Sequence, residues 1–313
     1  MKAMVYSKRN TPPTMRLTDI EKPVPAAGQV LIKIHSVSIN AADYRSMQMG
    51  IGPKSGIFGA DIAGLVEAVG PDARKFKVGD AVFGDLSINN FGGLAEYVAA
   101  PEALLAKKPD SVSFEHAAAI PMASLTALQG LRDKGGIKPG HRVLLIGASG
   151  GVGLFALQLA KHFGAHVTAV CGSKNAELVA SLGADDVIDY TRTKLSSLKG
   201  NFDIILAING NYSLLTYRKL LAPGGSCVMI GGALSQIARF FLLGPLLSIG
   251  KRKIRILAAK ASAEDLAFVM KLVEEGRIRP VIDKRYSLAE AGEAFDYLKA
   301  GHAGGKVIVN VIS

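Results

Sequence analysis

Val143-Leu144-Leu145-Ile146 runs into Gly147 and then Ala148-Ser149-Gly150-Gly151-Val152-Gly153, an apolar strand, a glycine-rich turn and the opening of a helix. Val152, Phe155, Ala156, Leu159 and Phe163 recur at helical spacing, and Gly164 is placed to end the helix. Gly150 and Gly151 let backbone approach a pyrophosphate, whose charge meets the helix N-terminus. Ser149 and Val152 flank them in the same turn. Gly153 lets the helix close on the strand. One position departs from the dinucleotide pattern, because its first glycine is Ala148. A glycine hexamer alone is weak evidence, and a purely structural turn is the competing reading. Strand, turn, helix and second strand (Ala165–Val170) follow here in the order a dinucleotide site requires.

A site for NAD usually carries an acid at the end of that second strand, on the ribose hydroxyls. This chain has Cys171-Gly172-Ser173-Lys174-Asn175 and no acid until Glu177. Small polar groups beside a lysine suit a 2′-phosphate, so the expected cofactor is NADPH. The alternative is that Lys174 caps a solvated turn.

Farther out, strand and helix patterns alternate through Asp203–Ile208, Leu214–Leu221 and Ser226–Ile230. That alternation argues for a parallel sheet with helices on both faces. The first third is different: Val30–Ile34, Ala60–Val69 and Ala81–Phe83 read as strands separated by Gly, Pro and Asp, and Ala117–Gly130 reads as a helix. Ala263–Glu275 and Leu288–Ala300 are helical, and Lys306–Val311 ends the chain as a strand. The expected organisation is α/β: a β-rich domain (1–124), a Rossmann domain (125–260) and a return segment of the first domain (261–313).

The chain has 313 residues, 49% of them hydrophobic and 20% charged, a composition of folded domains rather than disordered or fibrous chains. The N-terminus lacks the apolar core of a secretory signal, and no apolar run reaches the ~20 residues of a spanning helix. Two cysteines, Cys171 and Cys227, suit a reducing compartment, and a cytoplasmic protein is expected. The net charge of +11 fits solubility and an anionic cofactor, then an anionic membrane surface. Nucleic acid is not expected, because the basic residues are scattered and not interleaved with aromatics.

With these residues the chain resembles the medium-chain dehydrogenase/reductases, and among them the zeta-crystallin-like quinone oxidoreductases. The likeness runs through Pro25–Val30, Val37–Asp43, Gly59–Gly70, Gly92–Val98, Ala148–Gly153, Leu182–Tyr190 and Gly301–Val309. It implies a GroES-like catalytic domain beside the Rossmann domain. It also implies that Tyr190 and a Ser/Lys pair, falling on Ser173 with Lys174 or Asn175, hold the 2′-phosphate. Thr126 and Gly231-Gly232 would lie near the nicotinamide, with Gly305-Lys306 closing over it. Zinc enzymes of the family carry Cys-His and Gly-His-Glu segments. The matching residues here are Asn40-Ala41-Ala42-Asp43 and Gly59-Ala60-Asp61, so no metal site is expected. The six histidines do not cluster; His35, His141, His162, His166 and His302 are read as structural or solvent-facing.

Without a Lewis acid a saturated alcohol is a poor substrate, whereas quinones and α,β-unsaturated carbonyls accept hydride into a conjugated system. Donors to the developing oxyanion are then needed, and Asn40, Tyr44 and Arg45 are the expected catalytic residues. Tyr44 equally reads as a packing aromatic, and Arg45 as a solvated charge or a phosphate contact. Asp43 reads as an orienting group. The alternative function is a catalytically weak NADPH-binding adaptor or membrane-associated protein on the same fold. A homodimer is expected. The apolar run Ile237–Ile249, followed by Lys251-Arg252-Lys253, has three readings: buried in the domain or a dimer contact, a lid over the acceptor, or a peripheral membrane contact. Gly244-Pro245 is expected to break any helix in it.

Overall fold

The computed structural model describes residues 1–7, 14–208, 210, 212–232, 234–248, 251–301 and 303–312, with the backbone only for 234 and 235. Ile249 and His302 lie outside these residues. The chain divides into two units, Met1–Met122 with Ala261–Ser313, and Ala123–Lys260.

In chain order the first unit supplies β1 (Lys2–Ser7), β2 (Thr14–Asp19), β3 (Gln29–Ile39), α1 (Ala41–Met49), β4 (Asp61–Val69), β5 (Ala81–Asp85), β6 (Tyr97–Pro101), β7 (Leu105–Lys107) and α2 (Phe114–Ala119). Helix α3 (Pro121–Gln129) leads into the second unit: β8 (Arg142–Ile146), α4 (Gly151–His162), β9 (His166–Cys171), α5 (Ala176–Ser181), β10 (Asp186–Asp189), β11 (Phe202–Ala207), α6 (Leu214–Leu220), β12 (Leu221–Met229), α7 (Leu234–Leu247) and β13 (Lys253–Ile256). The return segment adds α8 (Ala263–Glu274), β14 (Ile282–Ser287), α9 (Ala291–Lys299) and β15 (Lys306–Asn310).

The second unit is built on a six-stranded sheet in the order β10-β9-β8-β11-β12-β13, with every neighbouring pair parallel. Counted from β8, this is the doubly wound dinucleotide order, and the topology reverses between β8 and β11. Apolar runs such as Val143–Ile146 form these strands because both faces are covered. Leu144, Ile146, Val170, Ile205 and Cys227 share one buried cluster.

In the first unit a seven-stranded sheet runs β14-β15-β3-β4-β5-β7, with β6 also on β3. Its core includes Ile32, Ile34, Val37, Ile62, Val82 and Val307. Strand β3 therefore pairs with both β4 and the returning β15, so residues from opposite ends of the chain share one sheet end.

Two local expectations are corrected. Ala117–Gly130 is not one helix: α2 ends at Ala119 and Pro121 opens α3, a first-turn position where its missing N–H costs nothing. Helix α7 runs unbroken through Gly244-Pro245. Pro245 lies in its last turn, and the i−4 residue, Phe241, is exposed, so water can satisfy the carbonyl that proline leaves without a donor.

Candidate functional site

Two groups of candidate residues stand out, one in each unit. In the second unit, Ser149 and Gly150 follow β8, Ser173–Asn175 follow β9 and Gly231-Gly232 follow β12, all at the carboxyl ends of the strands. Gly150 is the N-cap of α4 with extended backbone and no side-chain cap, and helix starts carry N–H groups without intrahelical acceptors. A Cβ at Gly153 would meet the Gly147 carbonyl oxygen at 2.2 Å, whereas one at Gly150 finds that oxygen only at 3.7 Å. Gly153 thus serves the helix–strand contact, and Gly150 leaves open space at the dipole end. That cradle fits a pyrophosphate.

Around the end of β9, Asn175 Nδ2 donates to Ser149 Oγ at 3.3 Å, tying this turn to the glycine turn. Lys174 is exposed. The Tyr190 hydroxyl lies 3.2 Å from where a Gly172 Cβ would stand. Sequence reading missed Asp189, which pairs in register with Cys171 across β10 and β9. The Ser173 hydroxyl donates to Asp189, as does the Thr191 hydroxyl at 2.7 Å, and Arg192 lies 3.5 Å away. The Ser173 bond first, then Thr191, holds the Asp189 carboxyl below its usual range. A carboxylate therefore stands at the end of the second strand after all, delivered by the neighbouring strand. Thr126 is buried in α3, and Gly232 has φ +132, with its would-be Cβ 2.7 Å from Gln236 Oε1.

In the first unit, strand register assembles a buried polar cluster. Val307 pairs with Ile39, Ser38 with Asp61, and Asp61 with Asp85. This places Lys306, Asn40, Asp61 and Asp85 side by side at one sheet end. The Lys306 ammonium donates to Asn40 Oδ1 at 2.5 Å and to Asp61 Oδ2 at 3.4 Å. Asn40 Nδ2 donates to Asp61 Oδ2 at 2.9 Å, and the Met122 N–H donates to Asp61 Oδ1 at 2.9 Å. Asp43 accepts from the backbone N–H groups of Asn40 and Gly59 at 2.8 and 3.0 Å, which suits an orienting group. Burial pushes Asp61 up to about 7 against the pull of Lys306, and Asp43 up to about 6 against its two N–H donors. Gly305 precedes the lysine where a Cβ would meet the Val281 carbonyl oxygen at 2.7 Å.

Tyr44 and Arg45 follow on α1. The Arg45 guanidinium lies 5.9 Å from the Tyr44 ring centre, and Tyr44 packs on the core of the unit. Asn40 and Lys306 are thus brought together, and Tyr44 pairs instead with Arg45. The Lys306–Asp61 contact links residues 245 positions apart in sequence, and no spacing rule could have found it.

Residues 26–110 match the family model described as an alcohol dehydrogenase GroES-like domain, and residues 182–309 the one described as a zinc-binding dehydrogenase. The donors at the positions where zinc would be expected do not fit it. Asn40, Ala60 and Asp61 offer neither thiolate nor imidazole, and a buried ammonium already holds the two oxygens that face it. Among the described residues no group of three or more His, Cys, Asp or Glu could hold a metal.

The chain is 36% identical over 301 residues, 92% of its length and 91% of the relative's, to a chloroplast envelope quinone oxidoreductase homolog of Arabidopsis thaliana. It is 32% identical to an NADPH-dependent alkenal/one oxidoreductase, chloroplastic, of the same plant, covering 99% of this chain and 79% of that one. Among solved structures, the quinone oxidoreductase from Coxiella burnetii superposes with a TM-score of 0.87 at 28% identity, covering 99% and 98% of the two chains. These relatives correct the cytoplasmic expectation, since both plant proteins are named for the chloroplast. Free cysteines report a reducing environment, not a particular compartment. No helix among the described residues is long and apolar enough to cross a membrane. A GroES-like unit, a doubly wound sheet with its glycine turn at the switch point, and relatives matched over nine-tenths of the chain agree: this protein belongs to the medium-chain dehydrogenase/reductase superfamily, alongside its quinone and alkenal/one oxidoreductases.

Proposed function

We propose that the chain is an NADPH-dependent, zinc-independent oxidoreductase whose acceptors are quinones and α,β-unsaturated carbonyls. The observation that carries this is the open cradle at Gly150, at the start of α4 and at the switch point of the sheet. Ser149–Gly153 hold the pyrophosphate, and Thr126 and Gly231-Gly232 flank the nicotinamide. Lys174 supplies the charge for a 2′-phosphate, with Ser173, Asn175 and Tyr190 beside it. The names of the relatives, which include quinone and NADPH-dependent alkenal/one oxidoreductases, point the same way. When bound, the reduced nicotinamide supplies the hydride.

The residues of the first unit answer for the acceptor. Tyr44 and Arg45 offer donors to an oxygen that gains charge as hydride arrives. Asn40, expected from sequence to do the same, spends its amide donors on Asp61 and the Ser38 carbonyl and serves to hold Lys306. Lys306, read from sequence only as a cofactor contact, adds a fixed positive charge held in place by Asn40 and Asp61. It does so where zinc enzymes place their metal. Asp61 and Asp43 position Asn40 and Lys306.

The test is NADPH oxidation by the purified protein with quinones and short enones, and NADP+ reduction with ethanol, before and after dialysis with a chelator. Turnover with quinones or enones that survives chelation is expected. Robust ethanol oxidation, or activity lost with the chelator and restored by zinc, overturns the reading.

A further inference from the structure

Helix α7 is apolar on both sides. Its inward arc, with Gln236, Phe240 and Gly244 buried, is fixed: Phe240 packs on Tyr217 at 5.7 Å between ring centres, and Gly244 faces Ile254 of β13. Its outward arc runs from Ala238 to Leu246. There Phe241 is 73%, Leu242 67% and Leu246 63% exposed, joined by Leu243. A helix that is apolar all round needs cover on both sides, and this one has cover on one. At 14 residues it is about 21 Å long, too short to span a bilayer but long enough to lie along one.

The chain on either side of it carries charge of one sign. From Ile204 through Ala263 the chain contains no Asp or Glu but eight Lys and Arg, out of a net charge of +11. Arg239 stands exposed on the helix itself, and Lys251-Arg252-Lys253 follow within six residues of its end. A second copy docked on this face by two-fold symmetry would bring like charge against like. An exposed apolar helix face with cations on it and just after it matches the headgroup–acyl boundary of an anionic leaflet, where apolar side chains enter and lysines meet phosphate.

We propose that the outward face of α7, with Arg239 and the Lys251–Lys253 cluster, is a docking surface for anionic lipid bilayers. The helix lies in the plane of the interface with Phe241, Leu242 and Leu246 inserted. Docking is peripheral and reversible, because one short helix and a few charges are a modest anchor.

The experiment is sedimentation of the full chain with vesicles of phosphatidylcholine alone or mixed with phosphatidylglycerol, at low and high salt. Binding to the mixed vesicles only, and release as salt shortens the Debye length from about 10 Å to about 3 Å, is expected. Phe241→Ser with Leu246→Ser should lower the partition coefficient about tenfold or more, since each removes a large apolar side chain from the interface. Lys251→Glu with Lys253→Glu, which leaves the helix untouched, should do likewise. Unchanged thermal melting and NADPH binding show that both variants fold. No sedimentation at low salt, or binding that neither double variant weakens, overturns the proposal. A dimer that light scattering shows is split by Phe241→Ser with Leu246→Ser assigns the face to a second copy. A raised acceptor KM in that variant, without loss of vesicle binding, assigns it to covering the acceptor. Either result overturns the proposal too.

Discussion

Replacing Lys306 with methionine removes one buried cation and leaves its neighbours in place, and the consequence should depend steeply on pH. Asp61 is raised from 3.8 to about 7, burial pushing it up and the ammonium 3.4 Å away holding it down. The folded protein therefore binds this proton more tightly than the unfolded chain. Stability tied to Asp61 is fully present below pH 3.8, is lost as pH rises through about 7, and is level thereafter. At an effective dielectric of ~20, unit charges at the observed 3.4 Å attract by about 5 kcal/mol. Without Lys306 the carboxyl should stay protonated to higher pH, so the loss continues beyond the pH at which the wild-type protein levels off, at about 1.4 kcal/mol per pH unit. The wild-type group is half titrated near pH 7, so there the difference is still small. By about pH 9 it should reach about 3 kcal/mol, the usual scale for stripping one partner from a buried pair. Asp43, also held down by Lys306, adds an effect of the same sign. Urea unfolding of both proteins at about pH 6, 7, 8 and 9 measures the gap. A gap that stays constant over this range refutes the pairing of Lys306 with Asp61.

Two further substitutions separate fold from cofactor at the glycine turn. Gly153→Ala should destabilise the second unit by several kcal/mol, because its Cβ would stand 2.2 Å from the Gly147 oxygen. Gly150→Ala, with only a 3.7 Å contact, should melt within about 1 kcal/mol of wild type but bind NADPH more weakly. Equal melting of the two variants contradicts these assignments. Lys174→Ala should weaken NADPH about ten- to a hundredfold and spare NADH, whereas Asp189→Asn should strengthen NADPH by removing a carboxylate beside Ser173. Isothermal titration decides both, and equal loss for both cofactors with Lys174→Ala would make that residue structural. Phe240→Ser should unfold the second unit where Phe241→Ser does not, since neighbouring positions on α7 face opposite ways; matching melting curves would contradict the orientation of the helix.

Much of the second unit was legible because its signals are local. Val143–Ile146, the glycine turn and the helical spacing of α4 lie within one supersecondary unit, and so do Ser149 and the turn of Ser173–Asn175 that meets it. The polar cluster was not legible in the same way. Asn40 caps α1 just past β3 while Asp61 and Lys306 open β4 and β15, and only the return of β15 onto β3 brings the lysine beside the other two. Asp189 escaped for a related reason: the acid was sought along the second strand, and the fold delivers it from the adjacent one. The break expected at Gly244-Pro245 failed because a proline rule for helix interiors was applied to a last turn.

The central claim, that bound NADPH passes hydride to a conjugated acceptor, is tested most directly by isotope transfer. The protein would be mixed with NADPH carrying deuterium on the transferred position of the nicotinamide ring, together with a short enone in ordinary water. The saturated product would then be analysed by mass spectrometry and NMR. Deuterium on the β-carbon of the product is the expected result; a saturated product without deuterium at that carbon contradicts the account.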